Sequence, residues 1–440
     1  MTGTTHDDHS RSYAARAHGM TASEVRALFS VANRPEVVSL AGGMPFVAAL
    51  PLDAVGSMLG DLVTDRGVSA LQYSTAQGDP VLRELICTVM ALEGIDAAPQ
   101  DVVVTVGSQQ GLDLISRVFL DPGDVVVAEG PSYVGALAAF AAIEAEVVHV
   151  PMDADGLDPA ALAAVLERLL AAGRRVKLLY TVPAFHNPAG VSLADSRRAA
   201  VLEVAARHDV IVIEDNPYGL LGFDEPPQPA LRSMTPTGVI YLGTFSKTFA
   251  PGFRVGWVLA PPAVRDKLIL ASEAAVLCPP TFSQFAVVSY LQTQPWQEQL
   301  KVFRELYRER RDAMLEALHD LMPSGPTWNH PAGGFYVWVR LPDGVDSKAM
   351  MPRAIAERVA YIPGTAFYAD GGGADALRLS FCYPPPDRIR EGVRRLATVV
   401  EAELDLLHTF GPASHTPTGR PGAEHTRGRV RADSPGPELA

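Results

Sequence analysis

The sequence predicts an α/β fold: a large, mostly parallel sheet flanked by helices, followed by a smaller α+β part. Three observations predict it. Short apolar runs recur at 102–106, 125–128, 176–182, 210–213 and 239–242. They have strand length and do not alternate, the pattern of strands covered on both faces. Helical segments separate them, which is how parallel strands are connected. Small residues, hydroxyls, acids and a lysine follow the runs, at the edge where such sheets collect ligands.

A chain of 440 residues is long enough for two domains sharing a core. Its 48% hydrophobic and 20% charged residues are those of an ordinary soluble globular protein. The net charge of −13 argues against a nucleic-acid binder, which needs a basic surface, but leaves room for a local basic pocket. Cys87, Cys278 and Cys382 are far apart, so neither a zinc site nor a disulfide framework is indicated, and a reducing cytosol is the simplest setting. The polar first twenty residues make no signal peptide, and the longest apolar run, 134–143, is too short to cross a bilayer. His6-Asp7-Asp8-His9 reads as a solvated terminus rather than a metal site. No internal repeats are present.

Residues 1–22 read as a disordered arm. At 23–29, Val25, Leu28 and Phe29 share a helical face, with Ser23 as N-cap. A strand at 37–40 runs into Gly42-Gly43, where backbone approaches a ligand closely. In 71–85, Gly78 punctuates a loop and Pro80 suits the first turn of a helix. The strand at 102–106 enters a helix through Gly107, Ser108 and Gln109. That turn aims free N–H groups and a positive dipole end at an anion, a phosphate cup. Neither G-x-G-x-x-G nor G-x-x-x-x-G-K-[ST] occurs, so dinucleotide folds and P-loops lack their signature.

The strand from 125 ends near Tyr133. The strand at 176–182 leads into Pro183–Gly190, with Asn187 in an Asn-Pro turn and His186 an ordinary loop residue. The strand at 210–213 delivers Glu214 and Asp215, then Tyr218. The segment 239–257 places Thr244, Ser246 and Lys247 after a strand and Arg254 before the next. A lysine beside two hydroxyls and an arginine suits a phosphorylated aldehyde: the amine forms a Schiff base and the others bind the dianion. Helices follow at 282–291 and 296–321. The charges of the second, Glu305 and Glu309 against Arg308 and Arg310-Arg311, read as a solvated face. In the strand at 377–381, Arg378 alternates with Leu377 and Leu379. A guanidinium in so apolar a strand needs an anion, and a bidentate pair suits an amino acid's α-carboxylate. From His408 to Ala440 apolar residues give way to Pro, Gly, Thr, Ser, His and Arg, and the tail reads as disordered.

Together these segments resemble the fold-type I, pyridoxal-phosphate (PLP)-dependent aminotransferases of class I/II, over about 26–395. Within them the chain resembles the branch holding 2-aminoadipate and kynurenine aminotransferases and the catalytic half of MocR-type regulators. The resemblance implies a large PLP-binding domain over 51–294 with a seven-stranded sheet, a small domain over 295–407, and a segment 23–50 serving the small domain and the substrate pocket. It implies that Lys247 carries the cofactor, Asp215 pairs with its ring nitrogen, and Asn187 and Tyr218 reach its phenolic oxygen. Tyr133 would stack on the ring. Gly107, Ser108, Gln109, Thr244, Ser246 and Arg254 would hold the phosphate, with Tyr73 crossing from the other subunit of a homodimer. Arg378, Asn187, Gly43 and Arg26 would bind substrate, Arg26 reaching the side chain of a dicarboxylate such as 2-oxoglutarate. The piece at 331–338, Pro-x-Gly-Gly-x-Tyr-x-Trp, would face the substrate. No metal is implied.

Rivals differ in class. Elimination, decarboxylation or oxidation would use the same lysine, aspartate and phosphate cup. A MocR-type regulator needs a winged helix ahead of Ser23, which some twenty polar residues cannot form. A Ser–Lys hydrolase lacks its companion S-D-N and K-T-G motifs and leaves Asp215 and Arg378 idle.

Overall fold

The computed structural model of the chain describes residues 9, 12–18 and 34–411. The expected helix at 23–29, Arg26, most of the N-terminal arm and the tail from 412 onward lie outside the described residues. The strands, in chain order, are β1 (Val38–Ser39), β2 (Val102–Val106), β3 (Val125–Gly130), β4 (Glu146–Asp153), β5 (Gly156–Leu157), β6 (Val176–Thr181), β7 (Ile211–Asp215), β8 (Val239–Thr244), β9 (Val255–Leu259), β10 (Thr327–Trp328), β11 (Tyr336–Arg340), β12 (Val359–Ala360), β13 (Ile362–Pro363) and β14 (Ala376–Ser380).

Strands β2 to β9 form one sheet in the order β2-β9-β8-β7-β6-β3-β4-β5. From β8 to β4 the neighbours pair parallel. β9 runs antiparallel between β2 and β8, so β2 shares the direction of the parallel set. The sheet therefore has eight strands rather than the expected seven. The extra one, β5, is two residues folding back on β4, too short to leave a period in the sequence.

The apolar runs have the cause expected of them. Val126, Ala128, Leu178, Tyr180, Ile213 and Ile240 pack against helices Gly107–Phe119, Val134–Ala142 and Pro262–Val276. Val125, Val127, Leu179, Val212 and Val239 point to the opposite face, against Pro159–Ala171 and Asp195–Arg207. Both faces are covered, so neither can be polar. Caps fix the connections: Asp79 accepts the Leu82 N–H at 3.0 Å with Pro80 at the first helical position, and Asp158 accepts the Ala160 N–H at 2.9 Å before Pro159.

A smaller antiparallel sheet has the order β10-β11-β14-β13, and β1 pairs parallel with β12. Leu40 continues that tie. Its N–H donates to the Ala360 carbonyl and its carbonyl accepts the Ser380 N–H. The chain is thus steered from β1 through Ala41–Met44 towards the large sheet. Helix Trp296–Leu321 bridges the two sheets, and here its charges depart from expectation. Arg308 does reach exposed Glu305 at 3.2 Å. Arg310 and Arg311, however, are 5% and 7% exposed. Arg310 donates to the carbonyls of Cys382 and Tyr383, and Arg311 to that of Pro331. They lie on the core side because loop carbonyls without sheet partners need donors there. The last helix, Pro386–Phe410, runs past His408, so the expected tail boundary falls inside it. Among the described residues no helix is long and apolar enough to cross a membrane.

Candidate active site

Strands β2, β3, β6, β7 and β8 end at one edge of the sheet, and β9 begins there. That edge explains why residues spread along the chain meet. β7 ends on Asp215, which is 3% exposed. Tyr180 of β6 donates its hydroxyl to Asp215 Oδ2 at 2.8 Å, while Oδ1 is buried with no hydrogen-bond partner. Burial pushes the Asp215 carboxyl up to about 6, against the pull of Tyr180 and the His186 ring. A buried oxygen left in that state is completed by a cation or an N–H donor.

β8 hands the chain to Thr244, Ser246 and Lys247. The Thr244 hydroxyl lies 2.9 Å from Ser246 Oγ and accepts the Ser246 N–H at 3.1 Å. Arg254 takes a left-handed turn (φ +54°) just before β9. Its Nη1 donates to Ser246 Oγ at 3.4 Å and its Nη2 to the Val106 carbonyl at 3.2 Å. The guanidinium therefore lies over the start of helix Gly107–Phe119. Gly107 has φ +71°, and a Cβ there would run into Arg254. Helix N–H groups, hydroxyls and a guanidinium converge on one spot, a built anion pocket. Gln109 braces its rim: Nε2 donates to the Gly135 carbonyl at 2.8 Å, and Oε1 accepts the Tyr133 hydroxyl at 3.3 Å.

Lys247 Nζ donates to the Gly43 carbonyl at 3.0 Å and stands 5.6 Å from the Phe335 ring centre. Burial draws its amine from 10.5 down to about 8; the nearby Arg378 and Arg254 add to the fall and Cys382 opposes it. Arg378, 4% exposed, donates from Nη1 to Asn187 Oδ1 at 2.8 Å and from Nη2 to the Ala41 carbonyl at 2.7 Å. Its guanidinium lies 4.1 Å from the Tyr336 ring centre and 5.0 Å from that of Phe367. Its Nε is buried without a partner, and among the described residues no carboxylate pairs with it. Tyr218 is buried, with its hydroxyl 3.4 Å from that of Tyr336.

These groups line a cavity of about 290 Å³. It gathers Gly43, Ser108, Gln109, Tyr133, Asn187, Asp215, Tyr218, Thr244, Ser246, Lys247, Arg254 and Arg378. Gly107 sits beneath Arg254. Tyr73 is not among the cavity's residues; it is 75% exposed on the surface. Arg26 lies outside the described residues. Sequence reasoning missed Tyr180 and Pro217, which also line the cavity, and gave Met44, in the segment expected at the pocket, and Tyr336 no role of their own. Tyr180 left one signal, a hydroxyl inside a buried apolar strand, which needs a polar partner. His186 is not an ordinary loop residue. It is fully buried, with Nε2 3.1 Å from Glu129 Oε2.

The family model for aminotransferase class I and II matches residues 47–396. The aromatic-amino-acid aminotransferase 1 of Thermococcus litoralis is 41% identical over 399 residues, 90% of this chain and 96% of the relative. The 2-aminoadipate transaminase of Thermus thermophilus is 37% identical over 402 residues, covering 90% and 98%. The crystal structure of Pyrococcus horikoshii kynurenine aminotransferase, in complex with PMP and kynurenine, superposes with a TM-score of 0.87 at 42% identity. It covers 90% of this chain and 99% of that one.

Proposed function

This chain belongs to the class I and II aminotransferases, enzymes that use pyridoxal 5′-phosphate, and we propose that it passes an amino group from an L-amino acid to 2-oxoglutarate with Lys247 as the cofactor-holding residue. One observation carries the reading. A single cavity holds an amine drawn to about 8, a buried carboxylate oxygen without a partner and a guanidinium without a carboxylate.

The residues fit the cofactor. Asp215 Oδ1 is the buried acceptor that a protonated ring nitrogen requires. Gly107 leaves the space in which Arg254, Ser108, Thr244 and Ser246 would hold the phosphate. Tyr133 offers a ring face, and Asn187 and Tyr218 offer polar atoms for the phenolic oxygen. When bound, the cofactor supplies an aldehyde carbon for the substrate's amine and an electron-withdrawing ring. The protein's residues do the rest. Arg378 takes the α-carboxylate in a planar fork and fixes the direction of the Cα–H bond. Lys247 Nζ, neutral above about 8, accepts the Cα proton and gives it up again as product forms. Tyr336 and Met44, which the cofactor assignments leave unused, add aromatic and apolar surface to the cavity, and this supports an apolar or aromatic donor. The 2-oxoglutarate assignment rests on Arg26 as the receptor of a second carboxylate.

The reading divides the chain into a cofactor domain over 51–294 and a small domain over 295–407, with 23–50 serving the pocket. It also makes the enzyme a homodimer whose Tyr73 completes the partner's phosphate site. Sedimentation should give a dimer mass, and a fully active monomer would overturn that part. The test of function is the half-reaction. Amino acids should convert the yellow protein to its amine form, and 2-oxoglutarate should restore it. Release of carbon dioxide or ammonia without that cycle would point to another reaction on the same scaffold.

Asp215 gives a further expected result. It is ionised above about 6 and protonated below, so its hold on a ring cation is present above that pH and lost as pH falls through it. Cofactor uptake by the apo-protein should weaken from about pH 7 to about pH 5. Asp215→Asn should flatten that dependence. Equal slopes in the two proteins, read by fluorescence titration, would remove Asp215 from the role.

A further inference from the structure

His186 takes no part in the steps above, yet its backbone groups and ring Nδ1 are all committed. Its N–H donates to the Val191 carbonyl at 2.7 Å and its carbonyl accepts the Gly190 N–H at 2.6 Å. Its ring Nδ1 accepts the Ala189 N–H at 3.2 Å. These bonds close the turn 186–191 on itself, with Asn187 at its start. A ring nitrogen that accepts an N–H carries no proton. The other ring nitrogen, Nε2, lies 3.1 Å from Glu129 Oε2, a close contact outside hydrogen-bond geometry.

Glu129 is the anchor. It is 1% exposed on β3 and accepts from the Thr181 hydroxyl and the Val182 N–H, each at 2.8 Å. The turn's far side is held as well, because Asn329 Nδ2 donates to the Ala189 carbonyl at 2.9 Å. So rigid a turn, built around a wholly buried ring, has one polar product facing the cavity: Asn187 Oδ1 at 2.8 Å from Arg378 Nη1.

We propose that His186, tethered to Glu129, is a positioning residue that sets Asn187 against Arg378 and thereby aims the guanidinium at the substrate carboxylate. The inference rests on Arg378 as the carboxylate receptor, as read above. Imidazole serves because its Nδ1 accepts from Ala189 while its Nε2 lies against Glu129 on the opposite side of a flat ring. Glutamine offers an acceptor and a nitrogen, and leucine neither.

The test uses the cofactor-loaded enzyme and two unreactive carboxylates, 3-phenylpropanoate and glutarate. Affinity is read from cofactor absorbance, and the melting temperature is followed in parallel. His186→Leu should bind the probes roughly tenfold more weakly, the scale of misplacing one hydrogen bond to a charged group. KM should rise while kcat and cofactor absorbance stay near those of the unmodified protein. His186→Gln should restore probe affinity, and Glu129→Gln should weaken it as His186→Leu does. Unchanged probe affinity in His186→Leu, even with a lowered melting temperature, would reduce His186 to a packing residue and overturn the proposal. So would a His186→Gln protein as impaired as His186→Leu. If His186→Leu fails to fold, Glu129→Gln decides: probe affinity equal to that of the unmodified protein overturns it. Arg378→Ala run alongside separates the two readings. If that variant binds both probes normally, or the unmodified protein binds neither, the parent reading has failed. If only Arg378→Ala is impaired, the inference has failed alone.

Discussion

Replacing Lys247 by Ala should lower turnover about ten-thousandfold and remove the visible absorption of the cofactor-loaded protein. Both losses have the same cause. Among the residues lining the cavity, Lys247 carries the one primary amine. Its Nζ has no carboxylate beside it, only the Gly43 carbonyl at 3.0 Å, so nothing holds it permanently as an ion. Burial lowers its proton affinity to about 8, with Arg378 and Arg254 pushing the same way. An amine in that range is a nucleophile at working pH and a base matched to proton transfer. Alanine offers neither function and also opens space at the cavity floor. The check is stopped-flow turnover together with the absorption spectrum. Retained turnover in a colourless Lys247→Ala protein would remove Lys247 from the chemistry.

The same lysine gives the apo-protein a stability signature with a definite sign. Its folded value, about 8, lies below the ordinary 10.5. Between those values the unfolded chain holds a proton that the folded chain has released, so stability rises with pH across the window. Lys247→Ala should lack that slope.

The sheet was legible because it is buried on both faces. Val125 and Val126 pack on opposite helical layers, and each must be apolar. The cavity residues were legible because parallel strands end together, so whatever follows an apolar run lands at one edge. What escaped did so for physical reasons. β5 is too short to show a period. Arg310 and Arg311 read as surface charges because a sequence does not reveal that loop carbonyls are among their partners, those of Cys382 and Tyr383 for Arg310 and that of Pro331, beside the Asp312 carboxylate, for Arg311. His186 looked like turn polarity because its anchor, Glu129, lies 57 positions earlier (186 minus 129) on another strand. Tyr180 was hidden within an apolar run, although its hydroxyl determines which oxygen of Asp215 is left free. Patterning reports burial and strand ends, whereas polar pairing across distant strands depends on register.

Arg378→Ala should lower kcat/KM by about 2–4 kcal/mol, or about thirty- to several-hundredfold, chiefly by raising KM. The size follows from the surroundings. Arg378 is seated at the centre of the small sheet, opposite Trp338 on β11 and Ile362 on β13. Leu377 and Leu379 beside it are fully buried. Two neutral oxygens and two aromatic faces hold the guanidinium in plane, but none neutralises it. A cation kept so dry without an anion costs folding energy that a bound carboxylate returns. Alanine loses that carboxylate and leaves Asn187 Oδ1 and the Ala41 carbonyl without their donor. Lysine should rescue only partly, since a point charge cannot reproduce the fork that spans both oxygens. The signature is therefore a graded series, in which the unmodified protein exceeds Arg378→Lys, which exceeds Arg378→Ala, in affinity for amino acid and 2-oxo acid alike. A primary amine lacking the carboxylate should be nearly indifferent to the substitution. Equal losses for that amine and for the amino acid would mean that Arg378 holds the strand together and does not read the substrate.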